Sequence, residues 1–462
     1  MKHLSIIAIT IIMLFTSCNR DGGEKSVFDY IPAESRSVAR VNIDAILKNS
    51  GCHIRDGKVT LSPSMEFYLE GASPDQQEFF TSMVDLYPML DMQNIMVTES
   101  DLDLIGLAEV KDPVRLNRYL DEQGVETSSG GLTVYVTSNL AISKADNFVI
   151  IGETPEKIAS YFEMAQQQAI TEFPELTDLF ADADRTVIGY TREEAKLTRR
   201  ERQQGKQPGY TTRLLTMDLH EHFLDVEFTT FDSEWNPVDI TEFIPMVDQD
   251  VLASIPAEAQ GVIVMGANPD IQGLINNIYP AIPEHFNEPS ELMFFAEFLK
   301  GSFMVSATPA ATGRYLRELT PPAWNITASM LQADENMSSI LSALSMFNPS
   351  GSIKEEDGQI RYQINPDLAL YIRHDAPLLT LSTDLIRTQE SSSEYAEIFE
   401  GAAFGAAINV PYNSETMRAF NLPYGPNIVL IGRDSTISLR IALNGSKSAL
   451  LEALAETLKA AR

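Results

Sequence analysis

The amino-acid sequence predicts an α+β protein built as two tandem copies of one α+β unit, with mixed or antiparallel sheets packed with helices. Three observations point there. Short β-type runs are separated by Gly- and Asp-containing turns, amphipathic helical stripes carry start signals, and one set of motifs recurs in the same order about 222 residues later.

The recurrence opens at Tyr30-Ile31-Pro32-Ala33-Glu34, followed by the apolar run 38–43. Ile255-Pro256-Ala257-Glu258 is followed by Val262-Ile263-Val264-Met265, with Pro256 lying 224 residues after Pro32. One four-residue match is expected by chance in a chain this long, so the order of the later matches carries the argument. Residues 104–110 read as a strand ending at Asp112-Pro113, an N-cap and first helical position, with Leu116, Tyr119 and Leu120 on one helical face. Residues 326–331 read likewise and end at Asp334, 222 residues on, ahead of Met337, Ile340, Leu341 and Leu344. Ser129-Gly130-Gly131 and Glu356-Asp357-Gly358 each lie between a pair of β-type runs, as hairpin turns do. The run 148–151 after Asp146 has its counterpart in 378–381 after Asp375, at a shift of 229, and 185–189 has its own in 405–409, at 220.

These matches divide the chain into a first repeat, 28–247, and a second, 248–462. Thr154-Pro155-Glu156 opens a helix with Ile158, Phe162 and Ala165 inward. Ser446 or Ser448 opens the last helix, with Leu450, Leu451, Leu454 and Leu458 on one stripe. Sheets covered by helices on one side are the expected result. The connector that begins at Trp235 carries Phe243, Ile244, Pro245, Met246 and Val247. These are expected to pack between the copies, with any binding groove lined from both.

Ahead of the repeats, Lys2 and His3 precede an apolar run of about a dozen residues, too short for a membrane span of roughly 20 and suited to a signal peptide. Phe15-Thr16-Ser17-Cys18 looks like a lipobox, with Phe15 where Leu is usual. Residues 1–17 are thus expected to be removed and Cys18 to carry the lipid. Residues 18–27 form a polar, Gly-containing tether. The membrane is the partner this implies, on the extracytoplasmic side and at the outer membrane.

The chain holds 34 basic and 65 acidic residues, a net charge of −31. Losing Lys2 with the signal peptide makes it 33 against 65, or −32. That balance argues against nucleic acid, which needs a basic face to displace counterions, and leaves room for a basic, cationic or glycan ligand. With Cys18 modified, Cys52 is the only cysteine left, so the body has no disulfide or Cys-based metal site; Cys52 reads as a small buried hydrophobe.

On Cys18, on Tyr30-Ile31-Pro32-Ala33 and on the strand ending near Ile43, the chain resembles a Bacteroides-type lipoprotein family of unknown function, in which a lipobox and polar tether lead to a Tyr-Ile-Pro-Ala motif and a Val-rich strand. The resemblance implies a cell-envelope lipoprotein and brings no catalytic residue with it.

Two clusters are candidate sites. His220-Glu221-His222 falls in the strand-like stretch 214–231, where His220 and His222 would share a face as two zinc ligands with no third in view. Arg199, Arg200 and Arg202 sit in a basic segment, 191–213, that reads either as an arm for an acidic partner or as a solvated loop. Asp434-Ser435-Thr436 fits a short O-glycosylation pattern and equally a polar hairpin turn. Acyl-transfer, metalloprotease and nucleotide-binding signatures are missing, and no cofactor is implied. The reading is a non-catalytic envelope protein that binds a ligand or partner. The alternative is an extracytoplasmic hydrolase built from scattered carboxylates or around His220 and His222.

Overall fold

The structure, a computed structural model, describes residues 25–71, 74–99, 104–137, 140–181, 185–194, 210–266, 301–309, 324–331, 351–365, 368–386, 393–419 and 422–461. The signal peptide, Cys18, Arg199, Arg200, Arg202, Asp334 and the helix expected after it lie outside the described residues. The last residues assigned to the tether do not: Ser26 caps a 3-10 turn, Val27–Tyr30, by accepting from the Phe28 amide.

In chain order the first half gives β1 (Ser37–Val41), α1 (Ile43–Asn49), β2 (His53–Arg55), β3 (Lys58–Thr60), α2 (Pro63–Glu70), α3 (Pro74–Leu86), β4 (Ile95–Glu99), β5 (Leu104–Glu109) and α4 (Pro113–Gln123). There follow β6 (Val125–Ser129), β7 (Leu132–Val136), β8 (Ala141–Ala145), β9 (Phe148–Gly152), α5 (Pro155–Gln167), α6 (Pro174–Asp178), β10 (Val187–Glu194), β11 (Tyr210–Leu219) and β12 (Phe223–Phe231). The second half gives α7 (Gln249–Ala253), β13 (Gly261–Met265), β14 (Phe303–Pro309), β15 (Trp324–Leu331), β16 (Ser352–Glu356), β17 (Gln359–Asn365), β18 (Leu368–Asp375) and β19 (Leu378–Ser382). It closes with α8 (Glu394–Ile398), β20 (Phe404–Asn409), α9 (Glu415–Ala419), β21 (Gly425–Arg433), β22 (Thr436–Asn444) and α10 (Leu450–Ala461). The fold is α+β and its registered strand pairs are antiparallel.

Two compact units emerge, Met1–Arg40 with Glu78–Ala183, and Val41–Gln77 with Asp184–Arg462. In the first, the strands run β4-β5-β9-β8-β7-β6 in space. The turn between β6 and β7 needs two left-handed residues, and Gly130 and Gly131 supply them at φ +54 and +81. Asp112 caps α4 by accepting from the Arg115 amide, and Leu116 and Leu120 are buried, as the sequence predicts. Thr154 caps α5, whose buried side chains are Ile158, Tyr161 and Ala165. Tyr161 thus takes the fully inward place expected of Phe162, and its hydroxyl accepts from Thr98 Oγ1 at 3.0 Å. Every residue of β9 is buried. At Gly152 a Cβ would lie 2.9 Å from Ile105 Cδ1 and 3.0 Å from Ile158 Cγ1, so glycine lets helix and sheet close up.

In the second unit the strands run β10-β11-β12-β22-β21-β20-β13-β14-β15-β19-β18-β17-β16. One face carries the main core. Val262, Val264, Met304 and Ala407 from the strands meet Val251 and Leu252 of α7 and Tyr395 and Phe399 around α8. Burial pushes the Tyr395 hydroxyl up to about 12.

Several expectations need correcting. Val247 is buried, yet Phe243 and Met246 are 60% and 59% exposed, because the chain turns through a 3-10 segment, Ile240–Glu242, before α7. The connector is therefore anchored at Val247 and not packed along its length. The last helix starts at Leu450. Ser446 and Ser448 shape the turn before it, the Ser448 amide donating to Ser446 Oγ. Cys52 is buried, its thiol 3.9 Å from Ser62 Oγ.

Candidate functional site

Side chains directly opposite each other in an antiparallel sheet point to the same face. Following that rule from β22 to β15 in the second unit gives three apolar rows on the face opposite the α7 and α8 core. The middle row is Leu439, Leu430, Ala406, Ile263, Val305 and Ala328. On one side of it lie Ile441, Ile428, Ile408, Gly261, Ala307 and Ile326. On the other lie Ile437, Gly432, Phe404, Met265, Phe303 and Met330. β12 prolongs the rows with Leu224, Val226 and Phe228.

This strip is open. Ile263 is 54% exposed, Ile408 46%, Ile326 41% and Val305 37%. Beyond β15 the same face passes into a small buried cluster of Tyr362, Ile372 and Leu379, against which Met330 and Leu381 pack. An antiparallel sheet with one solvated face ordinarily alternates apolar and polar side chains. Here the second face is apolar too, which overturns the expectation of sheets covered on one side. The signal stands in the sequence: Val262-Ile263-Val264-Met265 and Phe404-Gly405-Ala406-Ala407-Ile408 are unbroken apolar runs, the mark of strands apolar on both faces.

The opposite face of the β11-β12-β22 region is charged. Arg440 grips Asp225 with two hydrogen bonds of 2.7 Å, which hold the Asp225 carboxyl below the usual aspartate range. Arg185 pairs with Asp218 and reaches Glu227 at 3.7 Å. His220 and His222 lie next to this ladder, but in the turn between β11 and β12 and not on a strand, because the register closes at Leu219 and Leu224. The His220 ring stacks on Phe223 with centroids 4.2 Å apart, while His222 Nδ1 is 3.3 Å from the Ser448 carbonyl. Among the described residues no group of three or more His, Cys, Asp and Glu side chains could hold a metal ion.

The ends of the basic segment are strand, not loop. The Arg192 guanidinium lies 4.3 Å from the Tyr210 ring centre, and Arg213 pairs with Glu193 at 3.0 Å. A groove of about 670 Å³ in the first unit, between α3 and α4, offers Arg115, Arg118 and Tyr119 beside Asp85 and Glu122. Its charges largely answer one another, and Arg115 also reaches Asp112 at 3.5 Å.

No family model matches the chain, and no curated protein does. A solved structure titled "Structure of crystal form I of TP0453" is similar at a TM-score of 0.26 and 11% identity, over 45% of this chain and 79% of that one. That likeness is too slight to define a fold.

Proposed function

We propose that this is a lipid-anchored cell-envelope protein, held at the outer membrane through Cys18 and akin to the Bacteroides-type lipoproteins it resembles, that binds an apolar ligand without catalysis. The observation that carries the reading is the open strip centred on Ile263. Contiguous exposed apolar surface of that extent marks a binding site more often than an idle surface.

The same reading includes two tandem copies of one unit. What supports it is the repetition of strand pairings. The order β4-β5-β9-β8-β7-β6 has its parallel in β14-β15-β19-β18-β17-β16. In the hairpins β11–β12 and β21–β22, the pair Leu219 and Leu224 corresponds to Gly432 and Ile437, a shift of 213 on both strands. Where β12 meets β22, Val226 faces Leu439, again 213 residues away, as a local two-fold between them requires. The copies and the compact units are different divisions, since β10 to β12 belong to the first repeat by sequence and to the second unit by contact.

The test uses the full chain carrying Cys18→Ala and the neutral dye Nile red. Saturable binding that Ile263→Asp and Ile326→Asp each abolish, with circular dichroism unchanged, is expected. Equal dye binding by all three proteins overturns the reading.

A further inference from the structure

Resting on that reading, we infer that the occupant of the strip is an unbranched hydrocarbon chain, the acyl chain of a lipid or free fatty acid. The chemistry of the rows excludes the other occupants in turn. None of the three rows from β22 to β15 contains a polar side chain. A peptide or sugar seated there would lose its hydrogen bonds to water and gain none. Nor can a peptide add as a strand, because β20, β13 and β14 are each paired on both sides and offer no free edge. A ligand made of CH₂ groups leaves nothing unsatisfied.

Area and charge exclude a second copy. Six strands about 4.8 Å apart, crossed by three rows about 7 Å apart, span roughly 350 Å². A stable protein interface takes about 800 Å² from each partner. Two copies would also bring together chains that each carry a net charge of −31.

The relief of the strip suits a narrow chain. Gly261 and Ala307 sit side by side as a floor, with Ile408 and Ile326 as the walls of the same row. Ile263 and Val305 form a ridge along one flank. Nothing fills the space above Gly261: a Cβ there would meet only Ala307 Cβ at 3.8 Å and the Ala407 carbonyl at 4.0 Å.

The experiment is competition on the full chain carrying Cys18→Ala. Palmitic acid and its methyl ester are titrated against bound Nile red, beside a rigid polycyclic hydrocarbon of similar carbon count. Both linear compounds are expected to displace the dye at similar concentrations, and the polycyclic at least ten-fold less effectively. Gly261→Leu, which fills the floor from the outer face, should raise the palmitate concentration needed at least ten-fold. If the dye binds and is lost in Ile263→Asp, yet linear chains do not displace it or the polycyclic does so equally, the acyl inference is overturned while the binding face stands. If palmitic acid competes and its ester does not, a head-group site governs binding and the inference is likewise overturned. Absence of dye binding from the start condemns the binding face itself.

Discussion

Arg440 and Asp225 stand directly opposite each other where β22 meets β12, and the guanidinium closes on the carboxylate through Nε and Nη2, both at 2.7 Å. The pair joins residues 215 positions apart in sequence. It also fixes register, since a one-residue slip would carry Arg440 to the other face of the sheet.

The first prediction concerns this pair. Asp225 is mostly buried as a side chain but Arg440 is 60% exposed, so the interaction is discounted for solvent and Arg440→Met should cost about 1 kcal/mol. The Asp225 carboxyl is held below its unfolded value near 3.9, chiefly by the hydrogen bonds from Arg440. Its contribution is therefore complete above about pH 4 and fades as pH falls through the lower folded value. Thermal unfolding of wild type, Arg440→Met, Asp225→Asn and the double variant should show coupling at pH 7 that shrinks toward pH 2. Coupling that is constant over that range would contradict the assignment.

Tyr30 gives a second prediction. It is 2% exposed, its hydroxyl donates to Asp146, and its ring lies 5.6 Å from that of Phe148 and 6.2 Å from that of Phe162. Burial, with Asp146 second, raises its pKa. Asp146 keeps 63% of its side chain in water, so Tyr30→Phe strands no buried acceptor and should cost only about 1 kcal/mol. Tyr30→Ala empties an aromatic site and should cost about 3–5 kcal/mol. Equal losses in denaturant titrations would show that the ring packing has been misjudged.

Local signals are legible in the sequence and long-range ones are not. Asp112 and Thr154 announce their helices because an N-cap is a contact of three residues, and Gly130-Gly131 announces a hairpin because only glycine enters those φ values freely. The neighbourhood of β12 and β22 leaves no such trace, since nothing near Val226 names Leu439 as its partner. His220 and His222 read as strand residues because a turn of polar residues between two strands has the same composition as an exposed strand. The apolar strip escapes the sequence for another reason. Both faces of β13 and β20 are written in their runs, but a run does not say whether the second face is covered.

Gly405 supports a third prediction. A Cβ on Gly405 would lie 2.3 Å from Phe399 Cδ1 and Cε1, and Phe399 is fully buried at the heart of the second unit's core. The ring has no room to withdraw, so Gly405→Ala should cost about 1–3 kcal/mol as an overpacked site. Pairing it with Phe399→Leu should recover some of the loss. A Gly405→Ala protein as stable as wild type in urea would refute this packing.

The anchor is a fourth prediction. Cys18→Ala removes the sulfur that the lipobox reading assigns to the lipid. The variant should stay uncleaved by lipoprotein signal peptidase and carry no acyl mass in spectrometry of the intact chain. Normal cutting and acylation of the variant would refute the assignment of Cys18.

The final prediction turns on β12 and β22. Cutting the chain at the repeat boundary into 27–247 and 248–462 separates these strands, which pair over seven positions from Phe223 with Ala442 to Thr229 with Thr436. Each fragment would then present an unpaired strand edge, a template for aggregation. In the intact chain that edge is closed, with Val226, Leu439 and Leu430 continuing across it into the apolar rows. The fragments expressed singly should therefore be poorly soluble, and co-expression should yield a soluble one-to-one complex. Arg440→Asp in the second fragment sets two carboxylates face to face at the junction and should weaken that complex, while Asp225→Arg with Arg440→Asp should restore it, because the charges are exchanged and the geometry is kept. Two fragments that are separately soluble, folded and indifferent to each other would mean that the β12–β22 junction does not hold the second unit together.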